Sequence, residues 1–111
     1  MSSDLNIMLL DEDTLNADVG SPIYDVSEFK KCVLSYTDTQ SASSASLSLY
    51  AGVSAEEQLS YIGEILPIVN SHTLTRYASV SLDLSPFSVL QIVNANDETI
   101  GGIVAKLFGS I

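Results

Sequence analysis

The chain has 111 residues and a net charge of −10, from four Lys or Arg against 14 Asp or Glu; 46% of residues are hydrophobic and only 16% charged. That length fits one domain, and surface scaling leaves roughly 5,900 Å² exposed of about 17,000 Å² in the unfolded chain, room for one modest core. Four scattered cations cannot neutralise a run of phosphates, which argues against nucleic acid and anionic membranes as partners.

The charge is uneven. Residues 1–28 hold seven acidic groups and no Lys or Arg, while the rest of the chain holds seven acidic groups against four basic ones. Much of the polar share is hydroxyl, with 18 Ser and 6 Thr. The single cysteine, Cys32, permits no internal disulfide and no cysteine metal cluster; within Lys31-Cys32-Val33-Leu34 it reads as a buried thiol, in keeping with a reducing cytoplasm. Met1-Ser2-Ser3-Asp4 lacks the basic start of a secretory signal. No window reaches the ~18 apolar residues of a membrane helix, so a soluble protein is expected.

In chain order, residues 1–20 form an acidic leader holding the apolar cluster Ile7, Met8, Leu9 and Leu10, followed by Asp11, Glu12 and Asp13. A solvated tail has no use for four large apolar side chains, each worth about 1.5–3 kcal/mol when buried. The leader is therefore expected to be an arm that docks on its own body or on a partner, with a body over 21–111. Phe29–Thr37 alternates, with Cys32, Leu34 and Tyr36 on one face. Ser44–Ala51 is the cleanest half-buried strand, Ala45, Leu47 and Leu49 against Ser44, Ser46 and Ser48.

Gly52–Asn70 is ambiguous. Ser54 and Glu57 match a capping box and Leu59, Ile62 and Leu66 a helical face, whereas Gly63 and Tyr61-Ile62 favour a strand. The balance favours a loop or single turn and then a short strand near 60–66. Thr73–Leu84 alternates again, with Leu74, Ala78, Val80 and Leu82 on the apolar face; Arg76 interrupts that face, so it belongs near a sheet edge or beside a carboxylate. Ser85-Pro86 turns the chain. Phe87–Val93 reads as a central strand and Asn94–Glu98 as a turn. Ile100–Phe108 closes the chain with Ile103, Ala105 and Leu107 on one face, and Gly101-Gly102 points to a bulge or a close backbone approach. Six or seven strands at about ten-residue intervals point to an all-β antiparallel sandwich or jelly-roll with an N-terminal arm.

Catalytic chemistry finds no support. His72 sits in a turn, and no nucleophile-elbow pattern accompanies the serines. Asp11 and Asp13 match two positions of a calcium loop, but Leu15 breaks the third and the glycine is missing. No carboxylate pair has a feature that would separate its pKa values, and no Trp offers a sugar platform. The expectation is no enzyme, no cofactor and no metal.

Pro22-Ile23-Tyr24-Asp25-Val26-Ser27-Glu28-Phe29-Lys30 resembles the D-V-S-x-F/Y-K opening of small phage structural β-sandwich domains. Cys32–Tyr36, the small-residue strand Ser43–Tyr50 leading to Ala51-Gly52, and the closing Gly102–Ser110 are similar in kind, so the resemblance covers roughly 22–110. Ser54–Pro67 departs from the pattern. The single-domain length and acidic leader look most like the capsid decoration, or cement, proteins of tailed phages. That resemblance implies a virion protein made in the host cytoplasm. It would bind the outer surface of the mature capsid, bridge neighbouring copies of the major capsid protein, and self-associate, a dimer being the simplest staple. The partner-binding residues expected are Ile7, Met8, Leu9 and Leu10, and removal of residues 1–20 should leave a folded body that no longer binds shells. The competing expectation is a receptor- or glycan-binding module of a tail appendage, reading its ligand with Thr37–Gln40, Asn70–Thr73 and Asn94–Glu98.

Overall fold

Alternation of apolar and polar residues over runs of five to nine residues leaves each strand one face to bury, and two such sheets bury each other. The computed structural model describes residues 4–110 and contains ten strands, with no helix among them. They are β1 (Asp4–Leu15), β2 (Val19–Gly20), β3 (Tyr24–Asp25), β4 (Lys31–Asp38), β5 (Leu47–Gly52), β6 (Ser60–Ile65), β7 (Ile68–Asn70), β8 (Thr75–Asp83), β9 (Val89–Asn94) and β10 (Ile100–Ser110). The first sheet runs β1-β10-β4-β8-β7; the second runs β2-β9-β5-β6, with β3 also paired to β9. All pairings are antiparallel. Extents of 38 × 36 × 19 Å match two layers about 10 Å apart with side chains on both outer surfaces. The fold is the antiparallel β-sandwich the alternation predicts.

The core lies between the sheets. Leu34, Tyr36, Ile103, Ala105 and Leu107 of the first sheet meet Leu47, Leu49, Ala51, Leu90 and Ile92 of the second, all fully buried. The short strand expected near 60–66 is β6. Of the bulge or close approach expected at Gly101-Gly102, both are present: β1 slips register against β10 between Asp11 and Leu15, and Gly102 takes a φ of 64° with a Thr39 side-chain atom 2.6 Å from where its Cβ would sit. Leu74 departs from the expected apolar face. It occupies the left-handed region at φ 56° in the β7–β8 turn and is exposed.

Of the two places expected for the leader, its own body or a partner, the structure shows the first, in the form of a strand and not of a separate arm. Residues 4–15 are the edge strand β1, paired along most of β10, and Val19–Gly20 pairs with β9. Leu9, Leu10 and Leu15 belong to the core. No packing boundary separates 1–20 from 21–111, because a strand that inserts three leucines between the sheets is part of the sandwich. Residues 1–3 of the expected arm and Ile111 lie outside the described residues.

Candidate functional site: two outer faces and two ends

Directly opposed residues of antiparallel strands share a face, so register fixes what each sheet shows to solvent. On the first sheet one row reads Asn6, Phe108, Val33, Ser81 and the next Met8, Lys106, Ser35, Ser79. A third row reads Asp11, Val104, Thr37, Tyr77, Ile68. Met8, Val33, Ile68, Tyr77 and Phe108 are all at least 40% exposed on it, with Val33 beside Phe108, Tyr77 beside Ile68, and Lys106, Ser35 and Ser79 in the row between those two pairs. Lys106 lies with Nζ 5.4 Å from the centroid of the Phe108 ring, and Lys31 stands opposite Asp83 at the end of the face. A protein with three lysines thus places two on this surface.

At that same end the sandwich gapes. A groove of about 950 Å³ is lined by Leu5, Asn6, Lys31, Cys32, Val33, Ser81, Leu82, Asp83, Phe108 and Gly109. Gly109 leaves room for Phe29, whose ring would lie 2.9 Å from a Cβ there. The buried Cys32 Sγ donates to Leu82 O at 3.8 Å, and burial followed by the charge of Asp83 raises its pKa. Hydrogen bonds from the Ser85 hydroxyl and amide, then the charge of Lys31, hold the Asp83 carboxyl below its ordinary value.

The opposite end is closed by polar side chains. Arg76, buried, donates from Nε to Asp38 Oδ1 at 3.0 Å and from Nη2 to Asp38 Oδ2 at 2.6 Å, with Nη1 on the carbonyls of Ala45 and Ser43. Of the two places expected for Arg76, near a sheet edge or beside a carboxylate, the second holds, and with Asp38 it forms the only ion pair among the described residues. Tyr36 Oη donates to Asp38 Oδ2 at 2.5 Å. Burial and the Asp38 carboxylate push that phenol far above its ordinary value. Burial works against the Arg76 charge, but Asp38 and then Tyr36 outweigh it and raise the pKa. Beside this knot Asn94 Nδ2 donates to the carbonyls of Leu15, Asn16 and Glu98, and Asn96 Nδ2 to Ser46 O.

The second sheet's outer face carries Val93, Ser48 and Glu64 in one row and Gln91, Tyr50 and Tyr61 in the next. The two tyrosine rings meet edge to face, centroids 5.8 Å apart at 73°. Slight desolvation and then the charge of Glu64 raise the Tyr61 pKa.

No family model matches the sequence, and no curated protein matches it. Solved structures do. The SPBc2 prophage-derived protein YomS is similar over 97% of this chain and 92% of its own, with a TM-score of 0.57 at 10% identity. The chain shares that protein's fold. An exo-inulinase from Aspergillus awamori is similar over 96% of this chain but 29% of its own, with a TM-score of 0.51 at 8% identity. A mutant of a family 29 carbohydrate-binding module reaches 0.49 at 14% identity, over 97% of this chain and 92% of its own. At these identities the likeness is one of architecture, the small antiparallel β-sandwich.

The expected partner-binding cluster does not survive as a unit. Leu9 and Leu10 are buried in the chain's own core, Ile7 packs against that core, and only Met8 stands out, 46% exposed on the outer face. The bulge between Met8 and Leu10 turns Leu9 and Leu10 inward together, which simple alternation does not foresee. The three loops lie at the polar end, where Asp38 and Asn94 point inward and Asn70 Oδ1 accepts from the amides of His72 and Thr73. His72 is exposed, and no cluster of metal-ligating side chains occurs among the described residues. Sequence reading missed the outer face of the first sheet. Its apolar members come from five strands, and only strand order brings them together.

Proposed function

We propose that this chain is a non-enzymatic structural protein of a tailed-phage particle, which binds the outer surface of the mature capsid and bridges neighbouring subunits of the major capsid protein. The observation that carries the reading is the outer face of the first sheet: exposed Met8, Val33, Ile68, Tyr77 and Phe108, with Lys31 and Lys106, on a protein of net charge −10. Such a face, with exposed apolar side chains on five strands around a polar middle row, suits a flat protein surface better than a small ligand. The sandwich shared with a prophage-derived protein over nearly the full length of both chains supports the phage setting. A protein that binds only the assembled shell stabilises it by mass action, with no chemistry required. Docking thus moves from the Ile7–Leu10 cluster to the sheet face, with Met8 the residue common to both.

The test is the copy number of the protein in purified virions, scaled to the major capsid protein by quantitative mass spectrometry. Hundreds of copies support decoration; a dozen or fewer assign the protein to the tail, and absence overturns the phage-particle reading. With virions in hand, Val33→Glu should keep the fold, since Val33 is 40% exposed, and weaken shell binding at least about tenfold, or 1.4 kcal/mol.

A second reading, the receptor- or glycan-binding module, is favoured by Tyr50 and Tyr61. Their cross-strand pair next to Gln91 and Glu64 supplies the aromatic surface that composition denies. A glycan-array signal lost in Tyr61→Ala and kept in Val33→Glu supports that reading against the first.

A further inference from the structure

We infer that two copies of this chain pair edge to edge through residues 5–7 of β1, antiparallel about a two-fold axis at Asn6. An unpaired edge strand offers a row of free backbone donors and acceptors, and proteins blunt such edges with short strands, proline, bulges or charge. Three of the four edges here are blunted. β7 has three residues and follows Pro67; β2 and β3 have two each and are divided by Pro22; β6 slips register against β5 and carries Glu64. The fourth, β1, is blunted only in its second half. Its register shifts begin after Met8, Glu12 takes a φ of 55°, and Asp11, Glu12 and Asp13 crowd one stretch. Asp4–Met8 pairs with β10 in unbroken register and leaves a flat free edge.

A second observation concerns the side chains. Leu5 and Ile7 face inward yet are only half-buried, at the rim of an open groove of about 260 Å³ that the buried Phe29 and the side chains of Asp25, Ser27 and Glu28 also line. Pairing centred on Asn6 sets Leu5 against the partner's Ile7, and Ile7 against the partner's Leu5, so both copies cover this rim with apolar side chains. The same register carries the two acidic runs to opposite ends, with the Asp11 residues about 34 Å apart at ~3.4 Å per residue, several times the screening length of about 8 Å. Parallel pairing would set those runs side by side. A second copy in this one orientation matches the edge apolar to apolar and keeps the two acidic runs apart. The pairing uses the edge and leaves the outer face free, so it stands or falls apart from the capsid reading.

Sedimentation velocity of the full chain at concentrations up to about 1 mM, where weak interfaces populate, should show a monomer–dimer equilibrium. Asn6→Lys, at an exposed position, places two like charges opposite one another and should weaken the dimer at least tenfold. Asn6→Cys should form an intermolecular disulfide readily, because opposed Cβ atoms lie about 4.5–5.5 Å apart. Met8→Cys should not, its copy lying about 14 Å away along the strand; the wild type, with Cys32 buried, is the blank. A monomer throughout the range, a dimer indifferent to Asn6→Lys, or equal cross-linking at positions 6 and 8 overturns the pairing.

Discussion

The two ends of the sandwich solve the same problem in opposite ways. At the end where β4, β8, β9 and β10 turn, Asp38, Arg76 and Asn94 are buried, and Tyr36 holds Asp38 from within the core. Every buried polar side-chain atom described there has a hydrogen-bond partner. At the other end Leu5, Cys32 and Leu82 approach solvent, and the gap between them stays open as a groove. Loops on rigid sandwiches often carry recognition, but here the side chains that make those loops look informative are spent on holding them. The difference teaches that polar content marks the sealed end and apolar exposure the available one.

The largest expected effect is removal of residues 1–20. The sequence alone leads to a folded body after that cut, whereas the structure takes Leu9, Leu10 and Leu15 out of the core and strips β10 of its partner. Three large side chains at about 1.5–3 kcal/mol each amount to about 5–9 kcal/mol, which is comparable to the whole stability of a small domain. The truncated chain should give no cooperative urea transition by circular dichroism. A cooperative transition would return the leader to the status of an arm.

Next in size is the sealed end itself. Asp38→Ala leaves the Arg76 guanidinium buried without its carboxylate, a loss of about 3–5 kcal/mol. Asn94→Ala strands the carbonyls of Leu15, Asn16 and Glu98 and should cost about 1–3 kcal/mol. Ser81→Ala, on the exposed face near the groove, should stay within about 0.5 kcal/mol. Urea midpoints at constant slope read all three. If Ser81→Ala cost as much as Asn94→Ala, the two ends would not differ in the way described.

How much of this was legible follows from period and partner. Alternation of period two placed β4, β5, β8 and β10, because each of these strands buries one face and its pattern is local, and a continuous apolar run placed β9. The same logic placed Arg76 near a sheet edge or beside a carboxylate without deciding between them, since Asp38 lies 38 residues away and only the β4–β8 register opposes them. The leader's apolar cluster pointed to docking on its own body or on a partner, and the first holds; its strand form is hidden because bulges between Met8 and Leu15 break its period. The exposed face of the first sheet stayed hidden for a related reason: Met8, Val33, Ile68, Tyr77 and Phe108 look ordinary one at a time in their own strands. The Tyr50–Tyr61 pair lay just as deep, since it depends on a one-residue slip between β5 and β6.

A smaller effect concerns reactivity at the open end. The Cys32 thiol lines the groove yet is buried, and burial raises its pKa, so little thiolate is present at neutral pH. Labelling by a thiol reagent should be slower than in the urea-unfolded chain by on the order of a hundredfold, since the reagent must await opening of the strand ends. Labelling at the unfolded rate would mean that the end opens freely and that the groove is transient.

The smallest effect separates the ends by pH. The Tyr36 phenol is raised in the folded state, so its contribution is present below the unfolded value of about 10 and is lost as pH rises beyond it. Asp83 near the open end is lowered, so its contribution is present above the unfolded value of about 3.9 and is lost as pH falls below it. The sealed end therefore weakens in alkali and the open end in acid. Tyr36→Phe removes a hydrogen bond to a charged group, worth about 1.5–3 kcal/mol at neutral pH, and should flatten the decline in stability above pH 10. Asp83→Asn should flatten the limb below pH 4 and leave the Tyr36 contribution to the alkaline limb in place. Urea midpoints of both variants across the two limbs check the assignment, and an exchange of the two effects would mean that the polar knot is not what titrates the sealed end.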